Sequence, residues 1–283
     1  MKKRFLVCID SDGCMFDNME LKHKECFCPA TINVWNLQSV SRYAREVCDY
    51  VNLYSHLRGE NRFLSIIDTL ELLGKRPEAI QRGYRTPELA QLKRFVQEAK
   101  SLSSKSLEAF MKEHGESEDL LMALRWSDEV NENTKRIVRN VAAFPSARKM
   151  LEELHQHSSV AVVSQAQTET IRREWGEQGL LEFVDTVYGQ EYGSKADCIR
   201  RAKEAGFDSV HTLMIGDAPG DAASAKAADA LFYPIVPNEE DESWQKLHKL
   251  AERFFALEYA GSTEKELLDS YHSKLLTTPP WEQ

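Results

Sequence analysis

Two pairs of aspartates carry most of the chemistry that this sequence indicates. Asp10 and Asp12 lie two residues apart near the N-terminus, and Asp217 and Asp221 lie four residues apart much later in the chain. Carboxylates that are brought together repel one another unless a cation neutralises them. Oxygen ligands of this type are typical of Mg²⁺ sites.

Each acidic pair directly follows a short apolar segment. Residues 5–9 read Phe-Leu-Val-Cys-Ile before Asp10, and residues 212–215 read Thr-Leu-Met-Ile before Gly216 and Asp217. A short apolar run that ends in carboxylates is typical of a buried parallel strand whose C-terminal end opens into a site. The sequence therefore predicts a Mg²⁺-type site at the mouth of a parallel sheet.

The elements around the aspartates fall into two different patterns. From residue 144 onward, strand patterns at 160–163, 184–188, 211–215 and 231–235 alternate with helix patterns at 146–155, 168–179, 195–205 and 221–228. With the first strand at 5–9, this alternation predicts a doubly wound, Rossmann-like α/β core around a parallel sheet.

Between the first strand and this region only helical periodicity is visible. The apolar spacing predicts helices at 34–57, 63–73, 88–99, 104–114, 117–126 and 129–142. We therefore predict three parts: a core of residues 1–17 and 141–238, an all-helical insertion of residues 18–140, and a helical extension of residues 239–283 packed on the core. Thr263 and Glu266 have capping-box spacing in that extension, which also offers a surface for a homo-oligomer contact.

Taken in order, these motifs resemble those of the haloacid dehalogenase superfamily, in its phosphatase and phosphomutase branch. Asp10-Ser11-Asp12-Gly13 matches the DxD motif, and Asp217 with Asp221 matches the GDxxxD motif. Ser164 closes the apolar run 160–163, and Lys195 opens a helical stretch, as the family's intermediate motifs do. An insertion at this position implies a helical C1 cap.

The resemblance also implies a role for each matching residue. Asp10 would be the nucleophile that forms an aspartyl-phosphate, and Asp12 the general acid and then base. Ser164 and Gln165 would bind the phosphoryl group, and Lys195 would hold that group beside Asp10. Mg²⁺ would be bound by Asp10, the backbone carbonyl of Asp12 and Asp217, with Asp221 supporting them from outside the ligand set.

Substrate choice would fall to the cap. Residues 58–62, Arg-Gly-Glu-Asn-Arg, are similar to a Gly-x-x-Arg cap segment of β-phosphoglucomutase-like members, which makes Arg62 a candidate for binding substrate. The alternative is that Arg62 is a solvated residue in a helix–helix turn. The aspartates could likewise be ordinary loop or helix-capping carboxylates.

We interpret the chain as a Mg²⁺-dependent phosphatase of a small phosphorylated metabolite. A β-phosphoglucomutase-like phosphomutase and a non-catalytic phospho-ligand binding protein of the same fold remain alternatives. True haloacid dehalogenases need neither Asp12 nor a metal, and phosphonoacetaldehyde hydrolases lack an acid at the position of Asp12. A receiver domain would lack both the GDxxxD motif and the large insertion.

The net charge, the apolar runs and the cysteines indicate which binding partners and which cellular location to expect. The formal net charge of −9 over 283 residues argues against nucleic-acid binding. Asp10 ends the first apolar run too early for a signal peptide, and no other run approaches membrane-spanning length, so we expect a cytoplasmic protein without a membrane partner. Six scattered cysteines argue against a disulfide framework, and His23, Cys26 and Cys28 lack zinc-site spacing.

Overall fold

The computed structural model describes residues 3–282, which divide into two compact units. One unit comprises residues 3–19 and Asn140–Leu275, and the other comprises Glu20–Arg139 and residues 276–282. The first contains the α/β elements and the second is helical. The chain therefore crosses between the units after Met19, after Arg139 and once more after Leu275.

The α/β unit is built on a parallel sheet of five strands. In chain order they are β1 (Phe5–Ile9), β2 (Ser158–Val163), β3 (Thr186–Tyr188), β4 (Thr212–Gly216) and β5 (Leu231–Pro234). Their order in the sheet is β3-β2-β1-β4-β5, with Cys8 of β1 paired to Ala161 of β2 and Met214 of β4. This order confirms the predicted doubly wound core, and it places a topological switch point between β1 and β4.

Alternate residues of the strands feed two separate cores, one on each face of the sheet. Val7, Ile9 and Ile215 belong to one buried cluster, whereas Cys8 and Met214 belong to the other. Helices that cover both faces are required because a parallel sheet buries both. In chain order, the longer helices of this unit are Pro145–His157, Thr168–Glu177, Lys195–Lys203, Pro219–Ala227, Glu240–Phe255 and Ser262–Lys274, and short 3-10 helices lie at Leu181–Phe183, Gln190–Tyr192 and Ser209–His211.

The last two of these helices form most of the predicted C-terminal extension. Helix Glu240–Phe255 packs beside helix Pro145–His157, and helix Ser262–Lys274 packs on β5. The predicted capping box is wrong, since the second helix begins after Gly261 without a side-chain cap. Glu264 instead accepts a hydrogen bond of 2.8 Å from the Phe232 backbone N–H on β5.

The helical unit confirms some predicted helices and corrects others. Helices Arg62–Leu73, Ala90–Glu98 and Ser104–His114 lie close to their predicted bounds. The predicted helices 117–126 and 129–142 are one helix, Glu118–Ile137, because Trp126, Ser127 and Val130 continue a single buried stripe. The remaining helical segments are Met19–Leu21, Lys22–Phe27, Cys28–Val34, Gln38–Val40, Ser41–Asp49, Tyr50–Tyr54 and Pro77–Gln81.

The final residues depart from the predicted packing of the extension on the core. Residues 276–282 belong to the helical unit, where the Leu276 N–H donates to the Tyr54 carbonyl at 2.9 Å. The Trp281 ring lies 5.7 Å from the Tyr50 ring, and the Arg76 guanidinium lies 4.5 Å from the Trp281 ring centre. Aromatic and cation–π contacts therefore hold this tail on the helical unit.

Two further observations bear on the predicted environment. None of the helices in residues 3–282 combines the length and apolar character needed to cross a bilayer. All six cysteines are buried and none forms a disulfide.

Candidate active site

The loop after β1 fixes Asp10 at the edge of the sheet. The Asp10 N–H donates to the Ile215 carbonyl of β4 at 3.0 Å, so this residue continues the β1–β4 pairing. Its Oδ1 accepts a hydrogen bond of 2.7 Å from the Ser11 N–H. Only 5% of Asp10 is exposed, and the side chain is therefore almost fully removed from water.

A tight turn follows Asp10 and sets the orientation of Asp12. Gly13 adopts a φ of 71°, a conformation that residues with a Cβ rarely adopt. The Asn18 amide spans the turn: its Nδ2 donates to Asp12 Oδ1 at 2.6 Å, and its Oδ1 accepts from the Gly13 N–H at 3.1 Å. The sequence does not indicate this role for Asn18, because an asparagine after a loop carries no signal of the groups that it will bind.

The loop after β4 brings the second acidic pair to the same edge. Asp217 and Asp221 are 1% and 0% exposed, respectively. Asp221 Oδ2 accepts a hydrogen bond of 3.1 Å from the Ala218 N–H. Gly216 is required here because a Cβ at this position would lie 2.4 Å from Asp221 Oδ2.

Lys195 connects the two loops electrostatically. It begins helix Lys195–Lys203, whose N-terminus is capped by reciprocal hydrogen bonds between Ser194 and Asp197. Lys195 Nζ donates to Asp10 Oδ2 at 2.7 Å and to Asp221 Oδ1 at 2.5 Å. One buried ammonium group therefore neutralises carboxylates that come from opposite ends of the sequence.

The site still has an excess of negative charge. The pKa of Asp10 is raised to about 7, mainly by burial and also by the Asp221 carboxylate, against the opposing effect of Lys195. Burial and the neighbouring Asp217 likewise raise the pKa of Asp221, against the effect of Lys195. Burial disfavours the charge on Lys195, but its two carboxylate partners raise the pKa of this lysine above its ordinary value.

This donor set fits a hard divalent cation. Carboxylate oxygens of Asp10, Asp217 and Asp221 all lie within 4.8 Å of one another and are buried. Three buried carboxylates with one lysine leave a charge that a dication would neutralise, and oxygen-only ligands favour Mg²⁺ over softer metals. The carboxylate of Asp12 is not part of this group.

Ser164 and Gln165 lie at the end of β2, the strand next to β1. Ser164 is 3% exposed, and its Oγ accepts a hydrogen bond of 3.2 Å from the Ala166 N–H. Gln165 Nε2 donates to the Gly193 carbonyl at 3.3 Å, two residues before Lys195. Both residues therefore follow a strand that ends at the same edge of the sheet as β1 and β4.

Arg62 lies in the helical unit, where it begins helix Arg62–Leu73. Its Nη1 donates to Asn131 Oδ1 at 2.8 Å and to Ser127 Oγ at 3.1 Å, and its guanidinium lies 5.3 Å from the Phe27 ring centre. These hydrogen-bond partners are neutral, and burial lowers the pKa of Arg62 to about 10 although the nearby Asp128 carboxylate opposes this effect. Arg62 is therefore partly buried and is held in place by side chains of helix Glu118–Ile137.

The family assignment follows from the sequence comparison. Residues 65–233, more than half of the chain, match the model of the haloacid dehalogenase-like hydrolases. The chain belongs to this family, which confirms the resemblance read from the motifs, and it is a hydrolase. The matched segment includes Ser164, Lys195, Asp217 and Asp221 but not Asp10 or Asp12. No curated protein matches the sequence.

Solved structures of low sequence identity share the fold. A haloacid dehalogenase-like hydrolase from Streptococcus pneumoniae is 15% identical, with a TM-score of 0.50 over 88% of this chain and 97% of that one. A predicted phosphatase from Clostridium acetobutylicum is 15% identical, with a TM-score of 0.50 over 89% of this chain and 100% of that one. A protein assigned as a phosphoglycolate phosphatase from Lactobacillus delbrueckii subsp. bulgaricus is 14% identical, with a TM-score of 0.53 over 90% of this chain and 99% of that one.

Proposed function

We propose that the chain is a Mg²⁺-dependent phosphatase that hydrolyses a small phosphorylated metabolite through an aspartyl-phosphate on Asp10. The observation that carries this proposal is the buried group of Asp10, Lys195, Asp217 and Asp221 at the switch point of the sheet. A site built to hold one dication and one anion would need this excess of carboxylates beside a fixed ammonium group.

We assign Mg²⁺ to Asp10, the Asp12 backbone carbonyl and Asp217. When bound, it would neutralise the negative charge of Asp10 and of the substrate phosphate, which otherwise repel each other. Asp221 is proposed to act from outside the ligand set. Its Oδ1 accepts a hydrogen bond from Lys195 and its Oδ2 accepts one from the Ala218 N–H, and through these contacts it would hold both the lysine and the loop after β4 in place.

In the first half-reaction, an Asp10 carboxylate oxygen forms a bond to phosphorus while the bond to the ester oxygen breaks. The departing alkoxide takes a proton from Asp12. In the second half, Asp12 accepts a proton from water, the water oxygen attacks the phosphoryl group, and Asp10 is released with inorganic phosphate. The hydrogen bond from Asn18 holds Asp12 in one orientation for both transfers.

Three further residues are proposed to contact the phosphate group. Lys195 would bind the transferring phosphoryl oxygens while keeping Asp10 in place, because one ammonium group can serve both anions. Ser164 and Gln165 would donate hydrogen bonds to the same oxygens, and the position of both after β2 supports this role.

Arg62 is proposed to bind an anionic part of the substrate away from the reacting phosphate. A guanidinium group that is held by neutral partners keeps its charge available to an incoming anion. Its packing against Phe27 restricts the side chain before substrate arrives, which reduces the entropy cost of binding. A phosphomutase would use the same residue for a second phosphate.

The test compares the wild-type chain with Asp10→Asn. Phosphate release would be measured with p-nitrophenyl phosphate and a panel of sugar phosphates, nucleotides and other small phosphate esters, with Mg²⁺ and with EDTA. We expect Mg²⁺-dependent release that falls by about 10³-fold or more in Asp10→Asn, since the nucleophile is lost. The variant should remain folded, because Asn has nearly the volume of Asp and Lys195 keeps its ion pair with Asp221.

The intermediate gives a second, independent readout. Rapid acid quenching followed by mass spectrometry should detect a phosphoryl group on the peptide that contains Asp10, and no such group in Asp10→Asn. Turnover without phosphorylation of Asp10 would contradict the mechanism. Formation of an isomeric sugar phosphate would indicate the phosphomutase, and Mg²⁺ binding without turnover on any ester would indicate a binding protein.

A further inference from the structure

We propose that the two C-terminal helices of the α/β unit position both acidic loops of the site through two buried side chains, Trp244 and Tyr271. This inference rests on the proposed function, because it assigns these residues to the loops that carry Asp10, Asp12 and Asp217. Trp244 and Tyr271 are positioning residues in this proposal, since they act on backbone groups of the loops.

Trp244 lies in helix Glu240–Phe255 and reaches the first acidic loop. Its Nε1 donates a hydrogen bond of 2.8 Å to the Cys14 carbonyl, and the side chain is fully buried. The Cys14 carbonyl lies in a turn, two residues after Asp12, and within residues 3–282 no strand supplies it with a donor. A buried carbonyl group without a partner is costly, so the indole N–H determines which turn conformation is stable.

Tyr271 lies in helix Ser262–Lys274 and reaches the second acidic loop. Its hydroxyl group donates a hydrogen bond of 2.9 Å to the carbonyl of Asp217 itself, and its exposure is 0%. The same peptide unit carries the Ala218 N–H that binds Asp221 Oδ2. Rotation of this one peptide plane would therefore move the contacts of both aspartates.

Packing alone does not account for these two residues. Trp244 belongs with Leu247, Ala251 and Phe254 to the core beneath helix Glu240–Phe255, but packing in that core does not require an indole N–H, and Glu264 already ties the next helix to β5. Phenylalanine would fill the volume of Tyr271 without a polar atom to satisfy. The donors at both positions are explained by the carbonyl groups they reach, one in each acidic loop.

The chain offers a matched control at Tyr259. This tyrosine lies between the same two helices, is 1% exposed, and donates a hydrogen bond of 2.7 Å to the Phe232 carbonyl on β5. Tyr259→Phe and Tyr271→Phe each remove one hydroxyl group from a buried hydrogen bond to a backbone carbonyl. They differ in whether that carbonyl belongs to an acidic loop.

The first readout is independent of activity. Hydrogen exchange measured by mass spectrometry on the intact, metal-free chain should show at least tenfold faster exchange within residues 213–222 in Tyr271→Phe. The same segment should be unchanged in Tyr259→Phe, although both variants should lose similar stability toward urea. Equal exchange of this segment in the two variants would overturn the inference, whatever the protein's activity.

The second readout is functional. Titration with MgCl₂ in the absence of substrate should show that Tyr271→Phe binds the ion roughly tenfold more weakly than Tyr259→Phe, the range expected for groups that orient metal ligands. The kcat for p-nitrophenyl phosphate should fall by a similar factor, with little change in KM. Trp244→Phe should also lower kcat, but its faster hydrogen exchange should appear in residues 10–16 and not in residues 213–222. A wild-type chain without Mg²⁺ binding or turnover would refute the proposed function but not the exchange result.

Discussion

Removing the charge of Lys195 should destabilise the metal-free protein strongly. The Lys195 side chain is 13% exposed, and its carboxylate partners on Asp10 and Asp221 are 7% and 0% exposed. Loss of one member of a buried ion pair typically costs about 3–5 kcal/mol, because the remaining charge keeps its desolvation penalty. Since one ammonium group serves two carboxylates, we expect Lys195→Met to lower the free energy of unfolding by about 3–5 kcal/mol at pH 8.

The size of this loss should depend on pH. Without Lys195, the pKa values of Asp10 and Asp221 lie even further above their unfolded values. The folded variant then binds more protons than the unfolded chain, so its stability relative to wild type should increase as the pH falls from 8 to 5. Protonation of these carboxyl groups removes the repulsion that the lysine normally neutralises.

Urea unfolding in EDTA, followed by tryptophan fluorescence and far-UV circular dichroism, measures both effects. Lys203→Met is the matched control, because Lys203 lies on the same helix but donates to the backbone carbonyls of Ala228 and Asp229. Removing hydrogen bonds to neutral, partly exposed carbonyl groups should cost about 1 kcal/mol. A loss in Lys195→Met no larger than that of the control, or one that is independent of pH, would refute the electrostatic reasoning.

Three other predictions follow from individual contacts. Gly216→Ala places a Cβ 2.4 Å from Asp221 Oδ2, so we expect overpacking to lower the free energy of unfolding by about 1–3 kcal/mol. The Mg²⁺ affinity measured by titration with MgCl₂ should also fall, and an unchanged affinity would contradict this prediction. Asn18→Ala removes the hydrogen bond that orients Asp12, so kcat for alkyl phosphates should fall by about tenfold. The loss should be smaller for p-nitrophenyl phosphate, because its leaving group needs less protonation, and an equal loss would argue against Asp12 as the general acid. Burial and Asp68 raise the pKa of Glu60 from 4.5 to about 7, so this group contributes stability below pH 4.5 that is lost as the pH rises through 7. Urea unfolding of Glu60→Gln should therefore show a flatter pH profile than wild type, and parallel profiles would count against it.

Much of the α/β core could be predicted from the sequence because its signals are local. Strand β1 has its predicted bounds, and the other four strands differ by one or two residues. Continuous apolar runs bounded by Gly, Pro and Asp specify such strands without reference to distant residues. Asp10 and Asp217 could be expected at one edge because each follows a strand of a parallel sheet.

The helical unit shows where local patterns are insufficient. Residues 117–126 and 129–142 look like two helices, yet Ser127 and Asp128 lie inside one helix because the buried stripe continues through Val130. Tertiary packing overrides the weak helix preference of Ser and Asp at such positions. The capping box predicted from Thr263 and Glu266 does not form, and Glu264 between them binds the N–H of an edge strand.

The sequence by itself determined which chemistry the chain can perform, since carboxylate, lysine and serine side chains after predicted strands are readable without coordinates. Tertiary structure alone decided how those groups are held. Lys195 contacts Asp10 across 185 positions of sequence, Trp244 reaches the Cys14 carbonyl across 230, and Tyr271 reaches Asp217 across 54. Such partners leave no periodic signal, because a hydrogen bond between distant segments depends on how the sheet and helices pack and not on the spacing of residues along either segment.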